Sequence, residues 1–253
     1  MTNPVTQIHE QIIDAIQKTL ATKKIAIAFS GGVDSSLLAK ICSDIGLDVT
    51  LLTIGFEGSH DIEFSKKIAA LLGFKHFTYI IQKESFPSVA KEIKLKIRTD
   101  NLSWNENCIA FYYVSKLAKE HGIEKILTAN GIDELFCGYN AYREVVEDGE
   151  KAVMALMESK LENEIKMMKA VDMISSGFGV KILQPLLSEG FVAFAKTVPI
   201  KDKIKNKDDL VRKHIIRKLA LSVGVPRDSA LKRKKALQYG SLIHKNLMKF
   251  KKT

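Results

Sequence analysis

Cysteine is scarce in this chain. Cys42, Cys108 and Cys137 are the three among 253 residues, and no two form a Cys-x-x-Cys. That excludes the common zinc spacings, and a sparse, odd count fits a reducing compartment. No apolar run approaches the ~20 residues that a membrane-spanning helix needs. The N-terminus, MTNPVTQIHEQ, lacks the basic-then-apolar form of a secretory signal. A cytoplasmic protein with no membrane partner is therefore expected. Internal repeats and low-complexity linkers are also missing.

Apolar residues make up 46% of the chain, enough for a substantial core. The formal charge is +10 and lies late: Lys201, Lys203, Lys205 and Lys207, the run KRKK at 232–235, and Lys249, Lys251 and Lys252. Such a run suits either a nucleic-acid surface or a solvated lysine-rich face. Few aromatics interleave the lysines, which favours the solvated face.

The chain is organised around residues 24–38, KIAIAFSGGVDSSLL. An apolar run at 25–29 reads as a strand buried on both faces. It breaks at Ser30-Gly31-Gly32, and an amphipathic helix follows to about residue 45. A strand, a glycine turn and a helix start build an anion site. The glycines let backbone N–H groups close on a phosphate, the serines add donors, and the helix N-terminus favours negative charge. No Lys-Ser/Thr pair closes the loop, so it is not of the Walker type. SGGVDSS instead resembles the PP-loop of ATP pyrophosphatases, which cleave ATP to AMP and pyrophosphate.

Around this unit the pattern alternates. Residues 5–20 carry Ile8, Ile12, Ile16 and Leu20 on one helical stripe. Residues 48–56 and 76–81 read as strands. Asp61 is placed to cap a helix that ends at Gly73. Residues 84–97 and 108–121 read as helices, separated by a polar stretch at 98–107 that holds the one tryptophan. Residues 125–129 are a fourth strand, leaving through Asn130-Gly131-Ile132-Asp133-Glu134. Residues 150–169 form a helix with Met154, Met157, Leu161, Ile165 and Met168 at steps of three and four, and 207–221 a basic helix. Alternation of this kind predicts an α/β fold: a parallel twisted sheet with helices on both faces, right-handed crossovers, and ligands at the carboxyl ends of the strands. A nucleotide-binding core at about 22–145 and a mainly helical part at about 146–253 are expected.

Three separated motifs, SGGVDSS, NGIDELFCGY and KRKKALQYGS, together resemble the synthetase domain of glutamine-dependent asparagine synthetases. The resemblance runs over about residues 25–240. It includes TIGFEGSHD after the second strand and LVRKHIIRKLA before VPRDSALKRKK. It implies a fold of the adenine nucleotide alpha hydrolase type. It implies a ligase that binds ATP and Mg²⁺, adenylates a small carboxylate, releases pyrophosphate and lets ammonia displace AMP. Carried over by position, Ser30, Gly31, Gly32, Asp34, Ser35 and Ser36 hold the pyrophosphate end. Asp34 and Asp133 ligate magnesium, which prefers oxygen ligands. Thr53, Ile54 and Gly55 touch the adenosine through backbone, Thr128 and Ala129 line the same site, and Lys235 neutralises phosphate charge.

Several positions depart from that family. Its members have an N-terminal glutaminase domain with a cysteine after the initiator methionine, where this chain has Thr2. Ammonia is then free, comes from a partner chain, or is not the nucleophile. An acid or glutamine often stands where Asn130 is, and a carboxylate there would take the proton from attacking ammonia, which asparagine cannot. A Glu-x-Arg is replaced by Lys181-Ile182-Leu183, and an Asp by Ser188, which points to a changed substrate or a changed internal salt bridge. A PP-loop enzyme that adenylates a tRNA base is the alternative, with Cys137 as a lone sulfur carrier in that case. Packing is the ordinary role for Cys137.

Overall fold

A computed structural model describes residues 3–233 and 236–250. The chain opens with helix α1, Pro4–Thr19, capped by Asn3, whose side-chain oxygen accepts from the Val5 N–H. Its stripe of Ile8, Ile12 and Ile16 is buried, as the four-residue spacing predicts. Strand β1, Lys24–Ala28, leads into helix α2, Val33–Asp44, and then β2, Asp48–Gly55. Helix α3, His60–Leu72, stops at Gly73 and is followed by β3, Lys75–Ile80. Helices α4, Phe86–Ile97, and α5, Leu102–Glu120, precede β4, Lys125–Leu127. Short helices α6, Ile132–Leu135, and α7, Ala141–Val145, lead to the long α8, Glu150–Ser176. Strand β5, Lys181–Leu183, comes next. The remainder is helical: α9, Glu189–Thr197; α10, Ile200–Lys203; α11, His214–Ser222; α12, Arg227–Ala230; α13, Leu237–Gly240; and α14, Ile243–Phe250.

All strand pairs are parallel, in the order β3-β2-β1-β4-β5, so β1 is central. Side chains alternate between two cores. Ile25, Ile27, Leu51, Leu127 and Leu183 pack with α1, α2 and α11 on one face. Ala26, Leu52, Ile54, Ile126 and Ile182 pack with α4, α5 and α14 on the other. This is the expected sheet with helices on both faces. Among the described residues no helix is long and apolar enough to cross a membrane.

Five features differ from expectation. The polar stretch 98–107 is largely helical, because Asn101 caps α5 by accepting from the Trp104 N–H at 3.2 Å. Its polarity matches an interface with α8, where Trp104 Nε1 donates to Asn163 Oδ1 at 3.0 Å. Ser59, not Asp61, stands at the start of α3, and Asp61 is buried in its first turn. The part after residue 146 supplies the fifth strand. The basic helix begins only at His214, because Asp209 accepts from the N–H groups of Lys205, Val211 and Arg212 and ties them into a turn. That turn ends in two left-handed residues, Arg212 and Lys213. The lysine-rich region is also not uniformly solvated, since Lys203 and Lys213 are fully buried.

Candidate functional site

A cavity of about 590 Å³ opens at the carboxyl ends of β1, β2 and β4, where open parallel sheets bind ligands. The glycine loop forms one wall. Gly31 has φ +75°, and a Cβ there would press on the Phe64 ring and the backbone of Ser65, so the turn requires glycine. Within the loop Ser35 Oγ donates to the Gly32 carbonyl and sits 3.4 Å from the Ser30 N–H. The N-terminus of α2 thus faces the cavity with Asp34 in its first turn.

The exit of β4 forms the opposite wall. Asp133 lies against Gly138, where any Cβ would occupy the place of its carboxylate. The Asp133 carbonyl accepts from the Gly138 N–H at 2.8 Å. Glu134 turns back to accept from the Gly131 N–H at 3.0 Å and from the Tyr139 hydroxyl. Burial, then the charges of Glu134, Asp133 and Glu164, hold the Tyr139 hydroxyl well above its usual range, so it stays a donor.

Lys213 joins the two walls. Its Nζ donates to Asp34 at 2.9 and 2.6 Å and to Asp133 at 3.0 Å. Its side chain is 1% exposed, while the two carboxylates keep 21% and 20%. Burial alone would lower its pKa; the charges of Asp133 and Asp34 outweigh that and raise it. The left-handed backbone at Arg212 and Lys213 is the kind of strain that persists only where surrounding contacts enforce it. Here Arg212 grips the Gly138 carbonyl, and Arg217 grips the carbonyls of Val211, Arg212, Ala230 and Lys232.

Of the residues expected at the site, Ser30, Gly32, Asp34, Ser35, Ile54, Thr128, Ala129 and Asp133 line this cavity. Gly31, Ser36, Thr53 and Gly55 do not. Ser36 is buried and bonded to the Ser229 hydroxyl at 3.0 Å. Thr53 donates to the Phe29 carbonyl and contacts His76 Nε2 at 2.8 Å. The buried Thr128 hydroxyl has no hydrogen-bond partner within the described residues, so a ligand in the cavity has a polar group to meet there. Lys235 and Thr2 lie outside the described residues. Lys232 and Arg233 line the cavity, and Lys232 Nζ sits 3.1 Å above the centre of the Phe64 ring. Cys137 is buried beneath the site, away from the cavity, and burial pushes its thiol up to about 12. It packs in the hydrophobic core.

The three motifs do not point to Lys213 or to Glu164 of α8. Lys213 is one base among many in LVRKHIIRKLA. Glu164 carried a legible signal: it falls on the stripe of Met157, Leu161 and Met168, where an acid is out of place unless it has work to do there.

Among the described residues no three or more His, Cys, Asp or Glu are grouped to hold a metal by themselves. Asp34 and Asp133 nonetheless converge on one cation position. Two carboxylates completed by phosphate oxygens and water are a common way to bind Mg²⁺, so the donor set fits that ion.

The asparagine synthase family model matches residues 7–169, more than half of the chain. The chain belongs to the asparagine synthase family. It is 28% identical over 257 residues to a putative glutamine-hydrolysing asparagine synthetase of Methanocaldococcus jannaschii, covering 89% of this chain and 47% of that protein. It is 26% identical over 215 residues to the glutamine-hydrolysing asparagine synthetase of Gallus gallus, covering 81% and 37%. It thus spans less than half the length of these relatives and matches their synthetase portion. The NMN synthetase of Francisella tularensis superposes with a TM-score of 0.52 at 13% identity, over 94% of this chain and 78% of that one, a likeness of fold.

Proposed function

We propose that this asparagine synthase family chain activates a small carboxylate with ATP, forming an acyl-adenylate and pyrophosphate, and passes the acyl group to an amine to give an amide and AMP. The observation that carries the reading is the meeting of Asp34, from the glycine loop, and Asp133, from the β4 exit, at one cation position inside the cavity.

In this reading the backbone of residues 30–32 and the start of α2 receive the phosphates, and Thr128 and Ile54 face the nucleoside. A carboxylate oxygen attacks the α-phosphorus, and the bond to the bridging oxygen breaks with its electron pair leaving on pyrophosphate. Charge grows on the leaving group, so fixed donors and cations near it favour the transition state over the bound substrate. Lys213 supplies one such charge, and it holds both aspartates at a common point before nucleotide arrives. Lys232 and Arg233 add cationic character at the cavity wall. Asp34 and Asp133 would hold magnesium, which would supply charge neutralisation on the phosphates. Lys235 adds to this in the reading that the family resemblance gives.

Ammonia, free or delivered by a partner chain, is the simplest nitrogen source. The test is ATP–pyrophosphate exchange screened against carboxylates and bulk tRNA. Exchange dependent on a small carboxylate supports the reading, and exchange dependent on tRNA alone replaces it with base adenylation.

A further inference from the structure

We propose that the acceptor is a polyhydroxylated carboxylate, a sugar acid without an ammonium group, whose hydroxyls are read by Asn101, Asn163 and Lys160. The proposal rests on the adenylation reading above and names the acceptor class for that same site. The cavity reaches past the glycine loop and the β4 exit to a wall built by the start of α5 and the middle of α8. Phe111, Val114 and Met167 of that wall are buried. The lining that solvent reaches there consists of amides, hydroxyls and one lysine.

Hydrogen bonds within the protein fix which way the amides face. An indole N–H can only donate, so the 3.0 Å bond from Trp104 Nε1 claims Oδ1 of Asn163. The Trp104 backbone N–H claims Oδ1 of Asn101 at 3.2 Å in the same way. Each amide is left with Nδ2 to donate, and neither Nδ2 has a hydrogen-bond partner among the described residues. Lys160 adds three N–H donors and no acceptor. Its Nζ stands 5.6 Å from the Tyr139 ring centre, and no hydrogen bond or ion pair joins it to another described residue. Asn107 is turned the other way. Its Nδ2 donates to the Ser103 carbonyl at 2.8 Å, which leaves Oδ1 as the end that meets a ligand.

A wall of three donor groups and one acceptor calls for ligand oxygens. A hydroxyl does both: it accepts from Asn101, Asn163 and Lys160 and donates to Asn107 Oδ1. An α-amino acid would bring an ammonium to this wall. Lys160 repels a second cation there, and the one carboxylate that α5 and α8 contribute to the lining, Glu164, already accepts from Asn130 at 2.5 Å. A hydrocarbon chain would cover the donors and leave them unpaired, which is how a hydrogen-bonding site rejects an analogue without hydroxyls. The carboxylate of the acceptor then points to the metal end of the cavity and its hydroxylated chain lies along α5 and α8.

Exchange of labelled pyrophosphate into ATP, with gluconate, glucuronate, aspartate, glutamate and hexanoate as the carboxylates, separates the outcomes. Gluconate or glucuronate should drive exchange with a kcat/KM at least about 10²-fold above that of the other three, since several hydrogen bonds are at stake. Asn163→Leu and Lys160→Met should each raise the KM for that acceptor by about 10-fold, the scale of one such bond. The KM for ATP should move less, because these side chains hold a part of the acceptor that does not react. Two variants on different turns of α8 keep the question decidable if one folds poorly. Trp104 is the one tryptophan of the chain, so its emission should change as the sugar acid is titrated in and should do so at higher concentration in Lys160→Met, a readout independent of turnover. Exchange driven as well by aspartate, glutamate or hexanoate as by the sugar acids overturns this proposal alone, as does an acceptor KM that neither variant moves. Absence of exchange in the wild type with every carboxylate overturns the adenylation reading and this proposal with it.

Discussion

Replacing Lys213 with methionine keeps most of its buried stem and deletes the ammonium between Asp34 and Asp133. Removing one member of a buried ionic cluster costs about 3–5 kcal/mol, because the remaining charge stays behind in a poorly solvated place. Both aspartates keep about a fifth of their side-chain exposure, so the lower end, about 3 kcal/mol, is the expected cost. For a chain of this size that is a fall in Tm of about 6–12 °C. The assay is thermal unfolding of the wild type, Lys213→Met, Asp34→Asn and the double variant. The double variant should regain about 1 kcal/mol or more relative to additivity, since neutralising one carboxylate relieves the repulsion that the lysine had screened. Added Mg²⁺ should stabilise Lys213→Met more than the wild type, because without the ammonium the two carboxylates gain more from a bound cation. A Tm unchanged within a degree, or strict additivity, would refute the placement of this ammonium at the meeting point of the two walls.

Other changes test separate parts of the account. Asp34→Asn and Asp133→Asn should each abolish activity, read as loss of Mg²⁺-dependent ATP binding by calorimetry. Gly138→Ala should weaken that same binding, because the new methyl takes the space of the Asp133 carboxylate. His76 is held down to about 4 by burial and by Lys66, against an ordinary 6.5. The unfolded chain therefore binds the proton first, and stability should fall as pH drops from about 6.5 to 4, by on the order of 2–3 kcal/mol, with His76→Gln flattening the curve. Lys203 is lowered to about 8 by burial. Its desolvation cost is present below pH 8 and is relieved as pH rises toward 10.5, so Lys203→Met should raise Tm at pH 7. Lys232→Ala should lower activity, since Lys232 stands over Phe64 at the cavity wall, and a wild-type rate would assign it to the solvated face.

Much of this was legible in the residues. The glycine loop, the β4 exit and the alternation of strands and helices are local patterns, each set by a period or a turn that a short stretch encodes. The start of α5 was hidden because a polar turn packing on α8 reads as a loop. Strand β5 is three residues long and pairs with β4 through contacts far apart in sequence. Lys213 was hidden for a similar reason: Asp209 tightens a turn that aims the lysine inward, and its partners lie 179 and 80 residues away. Glu164 was marked by its place on an apolar stripe, but its partner Asn130 lies on the far side of two helices in sequence.

The most direct measurement of the central claim follows oxygen from the acceptor. A carboxylate labelled with oxygen-18, incubated with ATP, Mg²⁺ and ammonia, should deliver one labelled oxygen to AMP, with unlabelled pyrophosphate as the other product. Label found in inorganic phosphate, with ADP as the nucleotide product, would contradict adenylation at this site.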